Sequence, residues 1–166
     1  MILLTTSRRP YHETRILARE LSRVLPSSRY LPRGTKTVNE LLSLAFRFGL
    51  KGVWIVENSD GKPGFLRCIL PTRGSLWEEL QIDFSDFVLQ RGTGKKIEIS
   101  PTHLKILPGG EPLAHEISKF LQLQIAEKSG EPAVLVGERE IAFWDGQGRI
   151  PPELYVSSWR KVGGEA

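Results

Sequence analysis

Four consecutive apolar residues, Val53-Trp54-Ile55-Val56, constrain the fold of this chain more than any other feature. The run is β-branched and aromatic, follows Gly52, and leads into the turn cluster Asn58-Ser59-Asp60-Gly61-Lys62-Pro63. A strand with one wet face alternates apolar and polar residues, whereas a continuous run marks a strand covered on both faces. A second apolar stretch, residues 65–70, follows the turn cluster and completes a hairpin. Cys68, the only cysteine, lies within it and reads as a small buried hydrophobe, so no intrachain disulfide or cysteine-based zinc site is available.

The helices that could cover such a sheet are legible. Residues 2–5 predict a short buried strand, and a helix follows with Pro10 in its first turn. Leu17, Leu21, Val24 and Leu25 share one face of it, and Pro26 stops it. Tyr30 and Leu31 suggest a second short strand. Thr37-Val38-Asn39-Glu40 is a capping box that opens a helix with Leu41, Leu44, Ala45 and Phe48 inward and Gly49 at its end. Strands are expected at 76–84, 87–89, 97–99 and 103–106, with a turn at Gly92-Thr93-Gly94. A third helix, introduced by Gly109, Gly110 and Pro112, carries Leu113, Ile117, Phe120 and Leu121 on one face. Strands at 133–136, 141–144 and 154–156 complete the pattern. Helices that precede β hairpins in both parts of the chain give an α/β (α+β) class: a single domain over 1–166 with halves of about 1–75 and 76–166, divided at the breaker-rich stretch 71–75.

The 166 residues can bury about 70% of their unfolded surface, and a hydrophobic fraction of 40% is enough for such a core. No apolar run reaches the roughly 20 residues of a membrane span. The apolar start, residues 1–4, is too short for a signal peptide and has no basic region before it, so a cytoplasmic protein without membrane partners is expected.

The net charge of +4 is unevenly distributed. Residues 1–36 hold Arg8, Arg9, Arg15, Arg19, Arg23, Arg29, Arg33 and Lys36 against Glu13 and Glu20, a net +6, and the remainder carries −2. Arg15, Arg19 and Arg23 recur every four residues and form a stripe beside the apolar face of the first helix. Charge of one sign gathered in one segment favours a polyanionic partner, although the same residues could form a solvated face.

Motifs for bond chemistry are incomplete. Gly92-Thr93-Gly94-Lys95-Lys96 resembles the end of a phosphate-binding loop, but Leu89 stands where the first glycine belongs and Lys96 where Ser or Thr belongs. It reads instead as a solvated turn first, and as a basic hairpin turn able to touch a phosphate backbone second. His115-Glu116 begins a zinc-protease motif that Lys119 leaves unfinished, and His12, His103 and His115 are scattered. Ser7 lacks the glycine flanks of a nucleophile elbow. Glu78, Glu79, Asp83 and Asp86 fit structural or solvated roles. Trp54 reads as core, and Trp77, Trp144 and Trp159 as packing residues rather than base-stacking platforms. No catalytic residue, metal ligand or cofactor site is assigned, and an enzyme is not expected.

An ordered series of short segments carries a family resemblance. It runs Thr5-Thr6-Ser7-Arg8-Arg9-Pro10, Thr14-Arg15, Ala18-Arg19-Glu20-Leu21, Pro26, Arg33-Gly34 and Asn39-Glu40-Leu41-Leu42. It continues with Gly52-Val53-Trp54-Ile55-Val56-Glu57, Gly61-Lys62-Pro63-Gly64-Phe65-Leu66 and Leu70-Pro71-Thr72-Arg73-Gly74-Ser75. In order and spacing over roughly residues 1–80 the chain resembles the Brix domain family, in its compact archaeal form and nearest the branch related to the small-subunit processing complex. The family's Gly-Pro-Arg-Phe-like segment corresponds to Gly148-Arg149-Ile150-Pro151-Pro152-Glu153-Leu154-Tyr155, where its arginine has no counterpart.

The resemblance implies a ribosome biogenesis factor that binds precursor ribosomal RNA and assembly proteins and assists RNA–RNA pairing or processing without bond chemistry. It also implies two similar α/β halves, each like the anticodon-binding domain of class II aminoacyl-tRNA synthetases. Charge and resemblance together nominate Arg8, Arg9, Arg15, Arg19, Arg23, Arg33, Lys36, Lys95 and Lys96 as RNA-binding residues. The alternative is a protein-interaction module within an assembly complex, with RNA held by its partners.

Overall fold

The computed structural model describes residues 1–73, 77–94 and 96–164. The elements run β1 (Ile2–Thr6), α1 (His12–Val24), β2 (Arg29–Tyr30), α2 (Val38–Arg47), β3 (Gly52–Ser59), β4 (Lys62–Pro71), β5 (Trp77–Val88), a 3₁₀ turn (Gln90–Thr93), β6 (His103–Ile106), α3 (Glu111–Leu121), β7 (Ala133–Val136), β8 (Glu140–Trp144) and β9 (Arg149–Gly164). All nine strands join one mixed sheet in the order β2-β1-β3-β4-β5-β9-β8-β7-β6.

The continuous run is central to β3, which lies between β1, parallel to it, and β4, antiparallel to it. Successive side chains leave a strand on opposite faces, and the two faces of β3 reach different layers. Trp54 and Val56 pack with Leu17, Leu21 and Val24 of α1, in a cluster that also takes in Leu113, Ile117 and Phe120 of α3. Val53 and Ile55 pack with Leu41 and Ala45 of α2. So α1 and α3 cover one face and α2 the other. Burial pushes the Cys68 thiol well above its usual pKa, in keeping with a packing role. Trp54 is buried, and Trp77, Trp144 and Trp159 each pack against a core cluster, as expected from sequence.

The pairing pattern repeats along the chain. β1 and β6 each run parallel to the strand after their helices, β3 and β7. Each of those turns back through a hairpin, into β4 and β8. A long antiparallel strand follows each hairpin, β5 and β9, and these two pair with one another from Trp77↔Gly164 to Val88↔Glu153. Strand pairing therefore continues on both sides of the 71–75 stretch, of which residues 74 and 75 lie outside the described residues.

Local chemistry explains the turns. Asp60 and Gly61, both at positive φ (49° and 84°), form the two-residue loop between Ser59 and Lys62, as the right-handed twist of a hairpin demands. Thr37 caps α2 by accepting the backbone N–H of Glu40 at 3.2 Å. At the other end, Gly49 (φ 70°) donates to Phe46 O while Leu50 donates to Ala45 O, a Schellman closure.

Five expectations are corrected. Helix α1 starts at His12, with Pro10 ahead of the cap, because the Asn58 side chain accepts Tyr11 N–H and fixes the start there. Phe48 does not face inward: as the residue before the Schellman glycine it turns out, and the Arg29 guanidinium lies 4.2 Å from its ring centre. Residues 76–84 and 87–89 do not form two strands; residues 77–88 form β5, which tolerates register shifts around Phe84. Residues 97–99 do not join the sheet, since Ile97 N–H is taken by Gln90 Oε1 and Ile99 N–H by Arg23 O. The last strand spans sixteen residues rather than 154–156, because β5 offers a partner along its whole length.

Candidate nucleic-acid interface

The Thr5-Thr6-Ser7-Arg8-Arg9-Pro10 segment leaves β1 and enters α1 under control of a single side chain. Asn58 Nδ2 donates to Arg9 O at 2.7 Å, and Asn58 Oδ1 accepts from Thr14 Oγ1 at 2.7 Å and from Tyr11 N–H at 3.3 Å. Ser7 Oγ accepts Asn58 N–H at 2.9 Å. The serine is thus a tie between the loop and β3. Arg8 and Arg9 project outward from this pinned loop.

Along α1 the arginine stripe divides. Arg15 is exposed and turns back toward Pro10 O at 3.4 Å. Arg19 lies over the Tyr30 ring, 5.4 Å from its centre, in cation–π contact. Arg19 and Arg23 form one wall of a groove of about 420 Å³, and Arg91 and Lys96 form the other. Four basic side chains from α1, the 3₁₀ turn and the segment after it therefore converge. The expected hairpin turn at 92–94 is this 3₁₀ turn, and Lys95 lies outside the described residues.

Arg33 and Lys36 belong elsewhere. Arg33 is only 7% exposed; its Nη1 donates to Thr6 O at 3.1 Å and its Nε to Lys36 O at 2.7 Å, with Glu57 at 4.0 Å. Burial lowers its pKa, opposed by Glu57. Lys36 Nζ lies 3.4 Å from Pro32 O and from Arg33 O, in a depression along α2, on the other face of the sheet from α1.

Three residues that build the groove escaped the sequence reading. Glu20, buried on the inner side of α1, accepts the backbone N–H groups of Gln90 and Arg91 and so fixes the turn that carries Arg91. Gln90, also buried, braces that turn by donating to Pro151 O at 2.8 Å and to Ile97 O at 3.2 Å. The signal for Glu20 was present: it lies three residues after Leu17 and four before Val24, inside the apolar stripe, where a carboxylate needs a dedicated partner. Arg91 carried no such signal, because only the fold of β5 brings it opposite α1.

Burial raises the Glu20 pKa, against the lowering effect of the two backbone N–H bonds and of Arg23 and Arg91. A carboxyl with a raised folded-state pKa is better protonated in the folded chain, so its contribution favours folding at low pH. That contribution declines as pH rises from the unfolded value, near 4.5, through the raised folded value. Glu20→Gln removes the titration. The stability of the variant relative to the parent, measured by urea unfolding, should increase with pH across that window and level off above it. A difference that is constant with pH would contradict this assignment.

Among the described residues, no group of three or more His, Cys, Asp or Glu is placed to hold a metal ion, and no helix is long and apolar enough to cross a membrane. His103 is buried beside Thr102, and burial lowers its pKa.

No family model matches the chain. It is 44% identical over 63 residues to a probable Brix domain-containing ribosomal biogenesis protein of Pyrococcus horikoshii, a match over 38% of this chain and 28% of that protein. A protein of the same description from Methanopyrus kandleri is 28% identical over 135 residues, 76% of this chain and 69% of the relative. The chain thus matches less than a third of the length of the Pyrococcus relative. Among solved structures, a probable ribosomal biogenesis protein of Aeropyrum pernix superposes with a TM-score of 0.73 at 22% identity, over 99% of this chain and 96% of that one. Mil, an archaeal Imp4-like protein, superposes with a TM-score of 0.65 at 20% identity, over 96% and 99%. In sequence the chain is similar to archaeal proteins named Brix domain-containing ribosomal biogenesis protein, and it shares the fold of the two solved structures.

Proposed function

We propose that this chain is a ribosome biogenesis factor that binds precursor ribosomal RNA through the groove between α1 and the 3₁₀ turn. The carrying observation is the convergence of Arg19, Arg23, Arg91 and Lys96 on one groove whose far wall is fixed by the buried Glu20. Guanidinium groups pair with phosphate oxygens by bidentate, charge-assisted hydrogen bonds, and structured RNA is recognised largely through phosphate, shape and 2′-hydroxyl contacts. A rigid basic groove serves that purpose without a catalytic constellation, so the factor assists RNA processing or RNA–RNA pairing in the cytoplasm and makes or breaks no bond itself. The repeated strand pattern supports reading the single domain as two similar halves, each like a synthetase anticodon-binding domain.

A second reading, docking to an assembly protein, has an observation of its own. Phe46 is 85% exposed on α2 and borders a depression lined by Leu42, Ala45, Leu50, Leu70 and Pro71. The two readings separate in one experiment. The purified chain is titrated with a ribosomal RNA fragment at several salt concentrations, and pull-downs from lysate are run with and without nuclease. RNA binding that weakens steeply with salt supports the groove. Absence of RNA binding, with partners retained after nuclease, supports docking alone.

A further inference from the structure

The basic groove does not end at Arg23. The same arginine lines a second, adjoining concavity of about 640 Å³, formed with Ser22, Ser27, Ser28, Glu98 and Ser100. Its chemistry is opposite to that of the groove. Ser22 Oγ donates to Arg19 O at 2.6 Å, and Ser28 Oγ lies 2.7 Å from Ser22 O and 3.1 Å from Leu25 O. Those hydroxyl protons are directed at the end of α1, which leaves oxygen lone pairs as what the two serines can offer a ligand. Glu98 adds an exposed carboxylate, a pure acceptor when ionised.

The placement is built in. Ser27 adopts a left-handed backbone (φ 47°), which reverses the chain after Pro26 and returns Ser28 beneath the end of α1. Ile99 N–H bonds Arg23 O at 2.9 Å and its side chain packs on the core, while Glu98 and Ser100, on either side, line the concavity.

Accepting the RNA-binding reading above, on which this rests, we propose that the concavity takes the ribose of the nucleotide whose phosphate lies at Arg23, and that it recognises the 2′-hydroxyl as a hydrogen-bond donor. Glu98 repels a phosphate and attracts a hydroxyl proton, so it sets the register: phosphates lie in the groove and sugar beside it. Deoxyribose has no donor to offer there. The site therefore distinguishes RNA from DNA by an acceptor set, without reading a base.

The test uses single-stranded oligonucleotides of one sequence as unmodified RNA, as 2′-fluoro RNA and as DNA. The 2′-fluoro sugar lacks the donor, and without a duplex the difference between A-form and B-form shape is absent. Unmodified RNA should bind about tenfold more tightly than 2′-fluoro RNA, the weight of one charge-assisted hydrogen bond. Glu98→Ala should reduce that preference to about twofold or less while leaving the salt dependence unchanged, since no phosphate contact is lost. Glu98→Gln, which keeps an acceptor, should retain part of it. Equal binding of RNA and 2′-fluoro RNA, with a steep salt dependence, overturns the ribose site and leaves the groove standing. Failure of every oligonucleotide to bind overturns the RNA-binding reading and the ribose site with it.

Discussion

Replacing Arg19, Arg23 and Arg91 together with alanine should lower affinity for ribosomal RNA about 100-fold near 0.1 M salt, on the order of 1 kcal/mol per lost phosphate contact. The figure is held low because exposed charges gain little from each pairing and each surrenders hydration. The slope of log affinity against log salt should flatten by about 2, since each lost phosphate contact on a single strand removes roughly 0.7 of counterion release. Arg19 and Arg91 are exposed and Arg23 is half-exposed, so the fold should survive. Lys36→Ala with Arg47→Ala removes two cations from the depression along α2, on the opposite face of the sheet, and should change affinity by less than about twofold. This control separates a located site from general attraction to a basic chain. Equal losses from the two sets would mean that charge alone holds RNA, and no loss from either would dismiss the groove.

Arg15 and Arg91 divide what is local in the sequence from what only the fold supplies. A helical stripe is a local regularity: Arg15, Arg19 and Arg23 fall in line because the helix repeats every 3.6 residues, and the spacing is visible in the letters. What faces the stripe is not local. Arg91 reaches it because β5 runs the length of the sheet, the 3₁₀ turn folds over its end, and Glu20 and Gln90 tie that turn to α1 and to Pro151. Those contacts join residues 61 and 70 positions apart in sequence, a separation at which no periodicity speaks. The same distinction governs the fold. The strand at Val53-Trp54-Ile55-Val56, the capping box at Thr37 and the apolar face of α3 were readable because each is set by neighbouring residues. The length of β9 and the detachment of residues 97–99 from the sheet were not, because each depends on which distant backbone groups are available to pair. Arg33 fell between the two. Its place in a basic segment is local information, whereas its burial against Thr6 O and Glu57 follows from the approach of three separate segments.

Glu79, 6% exposed, is gripped by Arg67 of β4 through paired bonds of 2.9 Å from Nε and Nη2, and it accepts Trp77 Nε1–H at 3.2 Å. The hydrogen bond to Glu79 raises the Arg67 pKa further above its already high value. The pair lies on the α2 face of the sheet, where Arg67 is opposite Ile55 and Glu79 opposite Ile69. Glu79→Ala leaves the indole N–H without its acceptor and the guanidinium without its paired hydrogen bonds, with only the longer-range attraction of Glu57 remaining. Removing one member of a buried pair typically costs about 3–5 kcal/mol. With a quarter of the Arg67 side chain open to water, about 2–3 kcal/mol is expected here. Replacing both residues with methionine leaves no uncompensated charge and extends the apolar surface already supplied by Ile55 and Ile69. The double variant should therefore lie within about 1 kcal/mol of the parent, or above it. Urea unfolding of the parent, Glu79→Ala and the double methionine variant distinguishes two roles for the pair. If the double variant is at least as destabilised as Glu79→Ala, the ion pair itself holds β4 to β5. If it recovers, the backbone ladder and the flanking apolar residues hold the strands, and the charges serve to fix their register: a one-residue slip would place both beneath α1, against an apolar layer that offers them no partner.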